Sequence, residues 1–296
     1  MQNIKLTLPI TLSDGLHLPP QKAHAFGKEL AGIYCLAAPY PHIVIDDFLP
    51  LELANEILKN FPAEQLECDK FYESDYSGLH KRQIFPIDCN GKVRNIFAFL
   101  NSASMLQFLE GLTTIQGLIA DPYFDGGGFH EIRHGGKLGV HADFRINKQL
   151  HLNRRLNMLI YLNKDWQKDY GGHLEIWDRS MSKCCELIAP IFNRCVIFNT
   201  DADSYHGHPD PLNTPENITR KSIALYYYTA SKHVYSETPA HSTMYVGRPN
   251  DSTNIKYQIF RLRVKNYLSD FLPPVAFRAM TKVRKSLRPI KQMFKR

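Results

Sequence analysis

Hydrophobic positions follow two different rhythms along this chain. Between Pro41 and Pro50 the run PHIVIDDFLP reads as a short strand, Ile43-Val44-Ile45, that enters a turn at Asp46-Asp47. Leu51, Ala54, Ile57, Leu58 and Phe61 then follow at helical spacing and Pro62 ends the pattern, which predicts a helix of about three turns. Ala98 to Leu112 gives a second apolar-periodic stretch, and both helices are expected to pack on a sheet. The first 34 residues carry three prolines and little periodicity, so they are expected to lie over the surface rather than build the core.

From Phe129 to Ala230 the pattern shortens to β-type runs separated by turn residues: Leu138 to Phe144, Leu156 to Leu162, His173 to Trp177, Arg194 to Phe198 and Arg220 to Ala230. Many short strands of this kind predict a sandwich or barrel. Cys184 and Cys185 fall between two of these runs and are expected in a connecting loop. Helical spacing returns in Lys256 to Arg296, with Tyr257, Phe260, Leu262, Val264, Tyr267, Leu268 and Phe271 ahead of a break at Pro273-Pro274. The chain is therefore expected to be mainly β with flanking helices (α+β). It divides into an N-terminal strand and helix support (1–128), a β core (129–235) and a basic helical extension (236–296).

Composition narrows the class. With 296 residues, 44% hydrophobic and 22% charged, the chain is ordinary globular protein and is long enough for a large core without staples. No stretch approaches the roughly 18 apolar residues of a membrane span, and the N-terminus lacks a signal-like region. Six cysteines without a C-x-x-C are expected as reduced thiols, so the expectation is a cytoplasmic protein. The net charge of +7 suggests a polyanion partner until it is mapped. Residues 256–296 hold twelve Lys/Arg and one acid, Asp270, which leaves 24 basic and 28 acidic residues in the other 255. Nucleic acid thus becomes an unlikely partner. A contact of the extension with an anionic membrane surface, the inner membrane included, or with an acidic partner becomes the sharper expectation.

The candidate chemistry begins at VHADF. His141 and Asp143 stand two apart in an expected strand and so share a face. A second imidazole would complete a two-His-one-carboxylate triad, which leaves three positions of an octahedral Fe(II) open. H-x-D alone is weak, since the chain holds a second copy, His208-Pro209-Asp210, where the proline disfavours a central strand. What strengthens the first copy is the order of the pieces behind it. A strand placing Asn157, Leu159 and Tyr161 on one face leads through NKDW and YGGHLEIW to RCVIFN and SYHGH. His206 can supply the missing imidazole, with His208 as a rival; His206 is favoured because a turn begins after His208. Fourteen residues on, Arg220 and Ser222 share a face, and a guanidinium beside a hydroxyl suits a carboxylate. The alternative for Arg220 is a surface pair with Glu216. Among Tyr226, Tyr227 and Tyr228, strand packing is favoured over a substrate cage.

Residues 129–230 resemble the Fe(II)/2-oxoglutarate-dependent dioxygenases, in particular their prolyl-4-hydroxylase-like branch, through HAD, YLNKDW with GGHLEIW, SYHGHPDP and TRKSIALYYYT. PHIVIDDFLPLELANEILKNFP adds a likeness to the N-terminal part of bacterial members. The resemblance implies a double-stranded β-helix (jelly roll) core, with His141, Asp143 and His206 as catalytic iron ligands. It implies Arg220 on the distal carboxylate of the 2-oxoglutarate cosubstrate, with hydrogen bonds from Ser222 and Tyr161, and leaves ascorbate open as an accessory reductant. The expected reaction consumes O₂, releases succinate and CO₂, and hydroxylates a C–H bond of a prolyl residue, amino acid, sugar, lipid or secondary metabolite. A noncatalytic metal-binding jelly-roll module, or a peripheral membrane or polyanion-binding protein, are the competing expectations. One departure stands out: where some relatives carry a Tyr about ten residues before the first His that helps hold the cosubstrate, this chain has EIRHGGKLG, offering Glu131, Arg133 and Lys137.

Overall fold

The computed structural model describes residues 4–271 apart from Asp75, Lys148 and residues 231–242; of residues 265–271 it describes the backbone alone. Residues 236–242 and 272–296 of the expected extension, including the break at Pro273-Pro274, lie outside the described residues. The chain divides into two compact units, Met1–Pro249 and Asn250–Arg296.

The first unit is a curled two-sheet β core with helices on one outer face. Its larger sheet runs, strand beside strand, through His42–Asp46, Cys195–Asn199, Leu152–Tyr161, Arg220–Ala230, Gly128–Ala142 and Gly78–Ile84. The long strand Gly128–Ala142 serves both sheets. Its first half pairs with Arg220–Ala230, while its second half pairs with His206–His208, which continues the smaller sheet through Leu174–Trp177 to Cys184–Ile188. Cys184 and Cys185 thus begin a strand, not a loop, and all six cysteines are free thiols.

Strand alternation sorts the large sheet into two faces. Ile43, Ile45, Phe129, Met158, Ile160, Cys195, Ile197, Ile223 and Leu225 face the helices, in one apolar cluster with Leu53, Ile57, Phe97 and Phe108. Their neighbours Val44, Tyr161, Val196 and Phe198 face the smaller sheet with Leu174 and Ile176. The site lies between the sheets, among these inward positions. Arg194 ties the N-terminal strand to this frame through a two-pronged ion pair with Asp46, Nε to Oδ1 at 2.5 Å and the terminal nitrogen to Oδ2 at 2.9 Å.

Two expectations change. The stretch Ala98 to Leu112 is two helices, Gly91–Leu100 and Ala103–Thr113, parted at Asn101-Ser102; the first is capped by Asn90, whose Oδ1 accepts from the Val93 N–H at 3.0 Å. The N-terminal 34 residues belong to the core: Leu8, Ile10 and Leu18 are buried, and helix Pro20–Cys35 buries Ala23, Gly27, Leu30 and Tyr34. The reason is a close helix crossing. A Cβ on Gly27 would overlap the Phe108 carbonyl, and one on Gly111 would overlap that of His24, so two glycines let the backbones touch.

In the second unit, helix Thr253–Phe271 follows the expected spacing. Ile259 is buried, whereas Tyr257, Phe260 and Val264 are 58%, 62% and 40% exposed.

Candidate iron and cosubstrate site

A cavity of about 160 Å³ opens between the sheets, and its wall includes His141, Asp143, His206, Arg154, Asn157, Tyr226, Lys81, His130, His208, Arg220 and Ser222. His141 is the last but one residue of the long strand and sits directly opposite His206 in the register of the smaller sheet. One ligand-type atom from each of His141, Asp143 and His206 lies within 4.8 Å of the others, all three residues being buried; among the described residues this is the one such group.

The local backbone aims the rings. Nδ1 of His141 bonds to the Gly139 carbonyl at 2.8 Å and Nδ1 of His206 to that of Ser204 at 3.0 Å, each two residues upstream. Carbonyls accept only, so both Nδ1 atoms carry protons and both Nε2 lone pairs turn inward. Those Nε2 atoms lie 3.7 and 3.5 Å from the Asp143 oxygens. Burial, and next the neighbouring His206, pushes the His141 imidazole down to about 4; burial likewise lowers His206 against the pull of Asp143, so both rings are neutral near pH 7. Burial opposes the charge on Asp143, but Arg154, both histidines and the Asn157 hydrogen bond outweigh it and hold the carboxyl well below its usual range. Two neutral imidazoles and one carboxylate converging on a point fit Fe(II).

Asp143 is itself held from behind. Asn157 Nδ2 donates to Oδ2 at 2.7 Å, and an Arg154 terminal nitrogen stands 3.0 Å from the same oxygen while bonding Asn157 Oδ1 at 2.6 Å. The Arg154 guanidinium carbon also lies 3.5 Å from the centre of the Tyr226 ring. Sequence reading found Asn157 on the inward face but missed Arg154, which is three residues away and therefore out of phase with simple alternation. Arg155 forms a bulge, since Tyr227 pairs with Leu156 and Tyr228 with Arg154, and the extra residue turns Arg154 back into the cavity.

The far end of the cavity is cationic. Arg220 is 4% exposed; its Nε donates to the Gly172 carbonyl at 2.8 Å and a terminal nitrogen to the Tyr161 hydroxyl at 3.3 Å. No carboxylate pairs with it among the described residues, Glu216 included. Ser222 lines the cavity beside it, whereas Tyr161 is fully buried behind and meets the guanidinium. The glycine pair of YGGHLEIW explains itself here: Gly172 has φ +68°, and a Cβ on it would stand 2.5 Å from Leu212 Cδ2 and 3.0 Å from Arg220 Cδ. A buried guanidinium lacking a counter-charge, beside a hydroxyl, fits one carboxylate of a dicarboxylic 2-oxo acid.

Of the stretch that replaces the relatives' Tyr, Glu131 faces away from the cavity and accepts from Arg82 at 3.2 Å and Thr219 at 2.8 Å, and Arg133 is exposed. The inward positions are His130 and Ile132, joined by Lys81 from the adjacent strand, which pairs with Ile132. Burial lowers the Lys81 ammonium to about 8. Alternation outward from Phe129 would have found His130. Tyr226 lines the cavity, while Tyr227 and Tyr228 pack in the fold, Tyr227 donating to the Leu100 carbonyl at 2.8 Å.

Residues 127–228 match the model of the 2OG-Fe(II) oxygenase superfamily. Mouse prolyl 3-hydroxylase OGFOD1 is 25% identical over 260 residues, 81% of this chain and 45% of that protein, so the chain spans about half the length of this curated relative. Among solved structures, a Trichoplax adhaerens prolyl hydroxylase in complex with a hypoxia-inducible-factor peptide aligns with a TM-score of 0.49 at 18% identity, covering 70% of this chain and 91% of that one. A Pseudomonas putida prolyl-4-hydroxylase aligns at 0.46 and 17%, covering 71% and all of its own chain. Taken with the triad, the family match makes residues 127–228 a Fe(II)/2-oxoglutarate-dependent oxygenase domain. More particularly, the chain is related to the prolyl-hydroxylase-like members of that superfamily.

Proposed function

We propose that this protein hydroxylates an unactivated C–H bond of a prolyl residue in a peptide, splitting 2-oxoglutarate to succinate and CO₂. The observation that carries the reaction type is the convergence of His141 Nε2, His206 Nε2 and Asp143 on one point of a cavity also lined by Arg220, which has no carboxylate partner among the described residues. The prolyl substrate rests on the name of the mouse relative. In this reading His141, Asp143 and His206 hold Fe(II), and Arg220 with Ser222 binds the distal carboxylate of 2-oxoglutarate. Tyr161 orients Arg220 from behind. Bound iron and cosubstrate supply the activation of O₂ that C–H hydroxylation requires. Arg154 and Asn157 keep the Asp143 carboxylate ionised and fixed in orientation, and the two sheets exclude bulk water. The test is succinate release with Fe(II), 2-oxoglutarate and a panel of prolyl peptides, with mass spectrometry for an added oxygen. Succinate without an oxygenated peptide would retain the reaction type and reject the prolyl substrate; no succinate under any condition would reject both.

A second role is favoured by helix Thr253–Phe271. At about 100° per residue, the exposed Tyr257, Phe260 and Val264 fall within an arc of about 60°, and sequence positions 267, 268 and 271 continue it. Lys256 and Arg263 border one side of this arc and Arg261 the other, the arrangement of a helix lying in an anionic lipid surface. No described helix is long and apolar enough to span a membrane. The full chain is expected to sediment with phosphatidylglycerol-containing vesicles but not with pure phosphatidylcholine, and Phe260→Glu to abolish this. Equal sedimentation of wild type and variant would reject the role.

A further inference from the structure

His208 is the least accommodated polar side chain in the cavity. It is 4% exposed, it lines the cavity wall, and neither ring nitrogen has a hydrogen-bond partner among the described residues. A buried donor or acceptor left bare costs about 1–3 kcal/mol, so native folds pair nearly all of them. His208 is not a fourth metal-site residue: the cluster of ligand atoms takes His206 and leaves His208 out. Register explains the separation. His206 stands opposite His141, whereas His208 stands opposite Leu138, toward the bulge of the long strand and away from the triad.

His208 shares its cavity with a cation that has hydrogen bonds to Gly172 and Tyr161 but no counter-charge among the described residues. That cation is Arg220, which lines the same cavity, and its guanidinium is buried with no carboxylate partner among the described residues. A cation without a counter-charge and an imidazole with bare nitrogens thus line one cavity. A single carboxylate serves both groups, because its oxygens accept from the guanidinium and from the one N–H of the imidazole together.

We propose that His208 is a binding residue for 2-oxoglutarate, donating a ring N–H to the distal carboxylate that Arg220 also holds. This assignment rests on the oxygenase reading above. It replaces the idea of His208 as a rival iron ligand. It also gives this chain a cosubstrate contact from the smaller sheet, whereas Arg220 and Ser222 both come from the larger one.

The test is anaerobic calorimetric binding to the Fe(II)-loaded full chain of two ligands with the same chelating end: 2-oxoglutarate, and 2-oxopentanoate, which lacks the distal carboxylate. His208→Leu is expected to weaken 2-oxoglutarate about tenfold or more, as for one hydrogen bond to a charged group, and to leave 2-oxopentanoate within about twofold. His208→Gln, which keeps an N–H donor, is expected to recover part of the loss. Equal weakening of both ligands, unchanged 2-oxoglutarate binding, or loss of bound iron in His208→Leu would each overturn the assignment. If wild type binds iron but neither 2-oxo acid, the oxygenase reading itself fails. Tight wild-type binding unaffected by His208→Leu overturns only the role of His208.

Discussion

At the triad end of the cavity the protein supplies the compensating charge itself, whereas at the Arg220 end it orients a cation but leaves the opposite charge to be brought. Backbone carbonyls fix both imidazoles, and Arg154 and Asn157 hold Asp143, so the donor set is in place before any ion arrives. Thirteen residues on from His141, across the loop to the next long strand, Arg154 does for the carboxylate what Gly139 does for the ring. At the other end, among the described residues, Arg220 is buried without a carboxylate partner and the His208 ring without a hydrogen-bond partner. The difference separates two tasks. A metal centre needs its geometry fixed in advance, while a cosubstrate that is consumed each cycle must enter and leave, and it brings the missing charge with it.

Substitutions should therefore act differently at the two ends. The largest effect is expected for Arg220→Leu, which removes the cation facing the distal carboxylate: 2-oxoglutarate affinity falls by roughly 100-fold or more, with iron affinity nearly unchanged, measured by anaerobic titration. Arg154→Met reverses the pattern. It frees the Asp143 carboxylate and is expected to cost about 10- to 100-fold in Fe(II) affinity, read by competition with a chelator. Gly172→Ala should be milder, raising the KM for 2-oxoglutarate a few-fold as the new methyl displaces Arg220, and lowering stability by about 1–3 kcal/mol in urea titration. The smallest effect on the site is expected from Gly27→Ala, which wedges the crossing with Phe108: stability drops while iron and 2-oxoglutarate affinities stay put. If Arg154→Met weakened only the cosubstrate, the division between the ends would fall.

What the sequence made legible follows the same physics. Alternation in Leu156 to Leu162 and Arg220 to Ala230 survives because each strand has one face on the helices, so Asn157, Arg220 and Ser222 could be placed inward from their neighbours. His141, Asp143 and His206 were legible as a set, by order and spacing along the chain. Arg154 was hidden by a bulge that shifts the phase by one residue. Lys81 was hidden because its role depends on which strand lies beside Gly128–Ala142, a pairing no local pattern encodes. Helix Pro20–Cys35 escaped because its buried stripe of Ala23, Gly27, Leu30 and Tyr34 is half made of small residues, whose value lies in letting another helix approach.

The most direct test of the central claim is anaerobic addition of Fe(II) and then 2-oxoglutarate to wild type and Asp143→Ala, followed by metal content and by the visible absorption of a 2-oxo acid chelated to iron. Wild type is expected to retain one iron per chain and to develop the absorption, and Asp143→Ala to do neither while remaining folded. Equal iron content and equal absorption in the two proteins would contradict the assignment of His141, Asp143 and His206 as the metal site.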